Sequence, residues 1–172
     1  FHIGALAASV LPVVYAGGQL VLKPFDNPSD VLSCIVREKI NFLFAVPVMF
    51  EMMAKSPRWA EADLAHLRVC ISGGAPLGLP LIRKYQEEKG VRFAQGYGMT
   101  ETLRITALDL EDAVRKAGSI GKEVFHTTLR IVDRDGFDVS PGATGEIVVQ
   151  GPTVFKEYWK RPRASAAALD GG

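Results

Sequence analysis

At 172 residues the chain is long enough to bury a sizeable core, as one domain or as part of a larger one. Lys and Arg total 20 against 19 Asp and Glu, a formal charge of +1 with the basic residues scattered among acids. That balance excludes an electrostatic case for nucleic acid or for an anionic membrane surface. With 48% hydrophobic and 23% charged residues, the composition is that of an ordinary globular protein.

The longest apolar stretch, 3–16, contains Pro12 and falls short of the roughly 20 residues that span a bilayer. It reads as a helix over 2–16, buried on most sides and closed by Gly17-Gly18. No basic leader precedes it, the chain starts without Met, and Phe1-His2 and Leu169 to Gly172 both read as cuts inside elements of a longer protein. Gln19 to Lys23 reads as a short strand. Asn27 then caps a helix with Pro28 at its first position and Val31, Leu32, Ile35 and Val36 on its apolar face. Asn41 to Ala45 is a continuous apolar strand, and Pro47 opens a Met-rich helix through Met49, Met52 and Met53, a surface able to line a pocket for an alkyl chain and equally able to be core.

A polar connection, Ser56 to Ala65, leads to a third apolar strand, Leu67 to Ile71, which runs into Ser72-Gly73-Gly74-Ala75-Pro76. The helix Leu79 to Lys89 follows, with Leu81, Ile82 and Tyr85 inward, Arg83/Glu87 and Lys84/Glu88 paired outward, and Gly90 at its C-terminus. A fourth strand, Val91 to Ala94, delivers Gln95-Gly96-Tyr97-Gly98-Met99-Thr100-Glu101. Strands alternating with helices imply right-handed crossovers and a parallel sheet. In such a sheet Val46-Pro47, Ser72-Gly73-Gly74 and Gln95-Gly96 leave by one edge and converge on one crevice. The fold class is therefore α/β, a parallel βαβ sheet layer over 1–117. Near Gly118 the texture changes: Thr127 to Val132 and Glu146 to Gln150 are strands joined by glycine-rich turns, the start of an antiparallel, barrel-like subdomain over 118–172. Cys34 and Cys70 lie in apolar runs without metal spacing and read as reduced core residues of a cytosolic protein.

The heptapeptide 95–101 carries the chemistry. Tyr97 offers a plane for a base, Thr100 a hydroxyl for a phosphate, and Glu101 a carboxylate for the Mg²⁺ that accompanies phosphates. The same residues admit a plain structural reading, a glycine turn followed by a helix with Thr100 as N-cap and Glu101 in its first turn. His66 and His126 have no partners at ligand spacing, Gly-x-Ser-x-Gly is absent, and so is the complete Gly-x4-Gly-Lys-Ser/Thr phosphate loop.

Phe1-His2-Ile3-Gly4, Ser72 to Leu77, Gln95 to Glu101, Pro141-Gly142 to Gly145-Glu146-Ile147, and Tyr158-Trp159-Lys160-Arg161-Pro162 stand in the order found in AMP-forming acyl-CoA synthetases. Essentially the whole chain resembles part of the large N-terminal domain of this adenylate-forming family. Lys116 to Ser119 and Lys156 to Trp159 are most similar to the fatty-acyl members. The resemblance implies attack of a carboxylate, expected to be a fatty acid, on ATP to give acyl-AMP, then displacement of AMP by coenzyme A, with Mg²⁺ as metal. It implies that Tyr97 stacks on adenine, that Gly73, Gly74 and Ala75 with Pro76 wall adenine from the acyl pocket, and that Gln95, Gly96, Gly98 and Met99 complete the nucleotide loop. Thr100 would contact phosphate, Glu101 would ligate Mg²⁺, and His2 would stand where the acyl pocket meets the coenzyme A channel. Peripheral membrane contact and oligomeric state stay open. Lys122 to His126 departs from the proline-containing turn of many relatives, and the family's phosphate loop, ribose aspartate and catalytic lysine lie outside these residues, so the chain alone is expected to bind weakly and not to complete catalysis. Two rivals stay open: adenylation of an amino or aryl acid for a carrier protein, and a non-catalytic nucleotide- or acyl-binding module.

Overall fold

The structure, a computed structural model, describes residues 2–169, so the expected cuts at Phe1 and at Asp170 to Gly172 lie outside it. It divides into two compact units, one through Phe125 and one from His126 onward.

The first unit starts with α1 (Ile3–Ala5), which passes through one π-helical stretch, Leu6–Val10, into α2 (Leu11–Tyr15). Pro12 stands just after the π-helical stretch, at the second position of α2. The helical run is as expected but its burial is not. Leu11, Val14 and Tyr15 are 57%, 61% and 96% exposed, because a run apolar on all sides carries more apolar surface than the one sheet face beneath it can cover. Residues 19–23 form no strand and pair with neither sheet, and β-propensity without a hydrogen-bonded neighbour does not make a strand. No helix among the described residues is long and apolar enough to cross a membrane.

Asn27 caps α3 (Pro28–Arg37), its side-chain oxygen accepting from the Ser29 amide at 2.9 Å. Then follow β1 (Phe42–Ala45), α4 (Pro47–Ala54), β2 (Val69–Gly73), α5 (Leu79–Lys89) and β3 (Arg92–Met99). β1, β2 and β3 are parallel neighbours, with Ala45 level with Ser72 and Ser72 level with Gln95. β4 (Leu103–Leu108) turns back antiparallel to β3, and after the short α6 (Asp112–Arg115), β5 (Lys122–Glu123) closes the order β1-β2-β3-β4-β5. The sheet is therefore mixed. β5 keeps the first unit together through Phe125, seven residues past the boundary expected at Gly118, because the Thr106–Glu123 and Ala107–Lys122 pairs tie that segment to β4.

The core lies between this sheet and α3, α4 and α5. Phe50, Tyr85 and Phe93 pack edge to face with ring centroids 4.9–5.7 Å apart, and Trp59 meets Tyr85 at 4.6 Å. Each such pair adds about 0.5–1.5 kcal/mol beyond the area it buries. The Tyr85 hydroxyl donates to the Phe50 carbonyl at 2.9 Å, and burial pushes its pKa up. The polar connection Ser56 to Ala65 is anchored by the same core: Trp59 and Leu64 are buried, and Trp59 Nε1 donates to Glu88 at 2.5 Å.

The second unit holds β6 (Thr128–Val132) and β7 (Glu146–Gln150), an antiparallel pair in the register Val132–Glu146 to Thr128–Gln150, then α7 (Pro162–Ala168). The turn after β6 is fixed by Asp133, whose carboxylate accepts from the Asp135 and Phe137 amides at 3.0 Å each. The pairing is the antiparallel one expected.

Candidate functional site

The parallel register places Val46 and Gly73-Gly74, at the carboxyl ends of β1 and β2, side by side with Gly96 within β3. There they line a cavity of about 410 Å³, to which residues 2–5 and Ala7 and the α4 residue Met49 also contribute. Phe44, Met49, Ile71, Met99 and Leu103 make its walls apolar, and His2, Tyr97 and Arg104 are its polar side chains. The strand positions Gly73 and Gly96 are closely approached. A Cβ on Gly73 would stand 3.0 Å from the Gly96 carbonyl, and one on Gly96 would stand 3.1 Å from Arg104 Cδ.

The heptapeptide takes neither of the forms expected. β3 does not end where the glycines begin; it continues through Tyr97 and Gly98 to Met99, with a register shift between Tyr97 and Gly98 against β4. Thr100-Glu101 does not start a helix either, since 100–102 is the turn of a β-hairpin. The turn is held by Thr102, whose hydroxyl accepts from the Met99 amide at 3.3 Å, and by Leu103 in the left-handed region at φ 56°. The shift is a β-bulge, which re-aims side chains at a strand end. Its consequence is that Tyr97, Gly98 and Met99 face the cavity while Thr100, exposed, and Glu101, half-buried, stand just beyond it at the hairpin tip.

The expected site residues therefore separate into groups. His2, Gly73, Gly74, Gly96, Tyr97, Gly98 and Met99 share the cavity. Gln95 turns its side chain to the other face, where its Oε1 accepts from the Leu77 amide at 3.1 Å and so braces the 73–77 loop against β3. Ala75 and Pro76 are exposed in that loop, outside the cavity wall. His2 is also the cap of α1, its Nδ1 accepting from the Gly4 amide at 3.0 Å. Sequence reasoning missed Phe44, Ile71, Leu103 and Arg104. The signal was present for the last two, because Leu103 to Leu108 alternates as a half-buried strand.

No group of three or more His, Cys, Asp or Glu able to cage a metal occurs among the described residues. A Mg²⁺ ion that arrives on phosphates needs only one or two protein carboxylates, and Glu101 is a half-buried carboxylate in the hairpin turn. Cys34 and Cys70 are buried and unpaired with each other, and burial pushes the Cys70 thiol pKa up, which makes it an inert core residue.

A two-layer α/β unit with glycine-marked strand ends around an apolar cavity defines a ligand-binding α/β protein. The AMP-binding enzyme family matches residues 1–159, and the chain belongs to that family. It is 44% identical over 173 residues to an indoleacetate–CoA ligase of Aromatoleum aromaticum, covering 100% of this chain and 34% of that protein. A feruloyl-CoA synthase of Amycolatopsis sp is 42% identical (100% and 35%), and a long-chain-fatty-acid–CoA ligase of Mycobacterium tuberculosis 36% (100% and 34%). The N-terminal domain of FACL13 from Mycobacterium tuberculosis superposes with a TM-score of 0.91 at 37% identity, covering 99% of this chain and 43% of that one. The o-succinylbenzoate CoA synthetase of Bacillus subtilis, in complex with ATP and magnesium ion, gives a TM-score of 0.84 at 35% identity, with 99% and 35% covered. The chain spans about a third of the length of the curated relatives it matches.

Proposed function

We propose that the chain supplies the acid- and nucleotide-binding core of an ATP-dependent, AMP-forming carboxylic acid–CoA ligase. The observation that carries this reading is the convergence of Val46, Gly73-Gly74 and Gly96 to Gly98 on one apolar cavity, with Thr100 and Glu101 in the turn just beyond it. The acid's hydrocarbon part occupies the cavity, and its carboxylate points to the hairpin tip. Tyr97 stacks on adenine. Gly73 and Gly74, continued by Ala75, separate acid from nucleotide, because the two glycines let ligands approach the backbone closely from opposite sides.

A carboxylate oxygen attacks the α-phosphorus as the bond to the pyrophosphate oxygen breaks; the CoA sulfur then attacks the acyl carbon and AMP leaves. Thr100 hydrogen-bonds a phosphate oxygen and Glu101 holds the metal, so this chain contributes positioning and charge neutralisation. Mg²⁺ bound there would offset phosphate charge. His2 stands at the cavity's end, between acid and thiol. The relatives at 42–44% identity are named for aromatic acids and the fatty-acid ligase shares 36%, which favours an aromatic acid over the fatty acid expected from the Met49 to Met53 helix. The isolated chain binds weakly and does not complete both steps.

The test is calorimetric titration of a non-hydrolysable acyl-adenylate mimic with Mg²⁺ into the full-length protein, its Tyr97→Ala variant and its Glu101→Gln variant. Loss of stacking is expected to cost about 1–3 kcal/mol. Equal affinity in all three proteins overturns the assignment of the hairpin to the nucleotide.

A further inference from the structure

Arg104 is the one formal charge among the residues lining the 410 Å³ cavity. Its stem lies across Gly96, with Cδ 3.1 Å and Cγ 3.5 Å from where a Cβ on that glycine would stand, so the absence of a side chain at 96 makes room for the arginine. Arg104 is exposed, and no carboxylate or carbonyl among the described residues pairs with its guanidinium. The other arginines found in ion pairs, Arg37, Arg115 and Arg130, all meet an acid within 3.1 Å on open surface. A cation set against apolar walls with its five donors unspent is arranged for a ligand's acceptor.

We infer that Arg104 selects, for the site proposed above, an acid that carries a second carboxylate at its far end. The inference rests on the ligase reading, and the geometry then decides which carboxylate Arg104 meets. Arg104 sits level with Gly98 and reaches back over Gly96. Met99, beside the hairpin tip where the reacting carboxylate belongs, is three residues further along β3, about 10 Å in an extended strand. A guanidinium at that distance from the tip meets the tail of the substrate and not its reacting end. Phe44 and Met49, shared with the neighbouring apolar cavity of about 580 Å³, close the pocket on the side of β1, so an unsubstituted tail gains apolar contact only by leaving the arginine unpaired. A planar carboxylate matches the guanidinium in two parallel hydrogen bonds.

The experiment compares kcat/KM for cinnamic and 4-carboxycinnamic acid, and for decanoic and decanedioic acid, by AMP formation with ATP, Mg²⁺ and CoA in the full-length protein, Arg104→Leu and Arg104→Lys. The expected result is a diacid preference in the unsubstituted protein that falls roughly 10- to 100-fold in Arg104→Leu, the range for a hydrogen-bonded charge, and is partly kept in Arg104→Lys. A ratio that does not move in either variant, or a preference for the monoacids in the unsubstituted protein, overturns the role of Arg104 while leaving the ligase intact. Absence of acid-dependent AMP formation with every acid overturns the ligase reading, and this inference falls with it. Unfolding curves of the variants separate loss of fold from loss of selection, and the lysine variant keeps the test alive if the leucine variant does not fold.

Discussion

Gln95 Oε1 accepts a hydrogen bond from the Leu77 amide at 3.1 Å, joining the loop after β2 to the strand that carries Tyr97. The two glycine motifs are thereby one unit: displacement of the 73–77 loop moves the cavity wall against β3. Gln95 is 9% exposed and Leu77 2%, so neither group can turn to water if the other is removed. Gln95→Leu strands the Leu77 N–H but also removes Gln95 Nε2, which is buried without a partner; it is expected to destabilise by about 1 kcal/mol, the low end for an unsatisfied buried amide, and to weaken binding of the adenylate mimic. Denaturant unfolding beside calorimetry checks it; unchanged stability with unchanged binding removes the brace.

Gly98 faces the tightest spot in the first unit. A Cβ there would stand 1.8 Å from the Leu103 carbonyl, backbone against backbone across the bulge, with nothing flexible to give way. Gly98→Ala is expected to cost roughly 3 kcal/mol or more and to break the hairpin, because the added methyl overlaps backbone that has nowhere to move. Gly90 makes the control. It is left-handed at φ 67° with nothing within 4 Å, so Gly90→Ala costs only the conformational term, about 1–2 kcal/mol. Thermal unfolding of the two variants that gave equal losses would refute the clash.

Glu88 accepts from Lys84 Nζ at 2.7 Å and from Trp59 Nε1 at 2.5 Å. The lysine bond first and the tryptophan bond second hold its carboxyl below the usual glutamate range. A folded pKa below the unfolded one means that the stabilisation is full above about pH 4.3 and is lost as pH falls through the lowered folded value. The Tm difference between the protein and Glu88→Gln is therefore expected to shrink on acidification from neutral pH to pH 3, with the Trp59 emission changing over the same window. A gap that is constant with pH would show that the carboxylate charge contributes nothing there.

The sequence by itself determined the local chemistry. The α5 limits Leu79–Lys89, with Gly90 after them, and the Asn27 cap were legible because a cap, a proline and a left-handed glycine act within a few residues. The convergence of Val46, Gly73 and Gly96 was legible too, because a parallel βαβ order leaves one geometry for strand ends. Tertiary structure decided the rest. Whether Gln95 faces ligand or core depends on strand parity relative to α5, and whether 96–99 is loop or strand depends on β4 arriving antiparallel beside it. The exposure of α2 and the failure of 19–23 to become a strand have the same origin: an apolar run specifies a wish for burial, and only neighbouring elements supply the surface or the hydrogen bonds that satisfy it. Arg104 is the sharpest case, since its meaning comes from lying over Gly96, eight residues away in sequence and adjacent only across the hairpin.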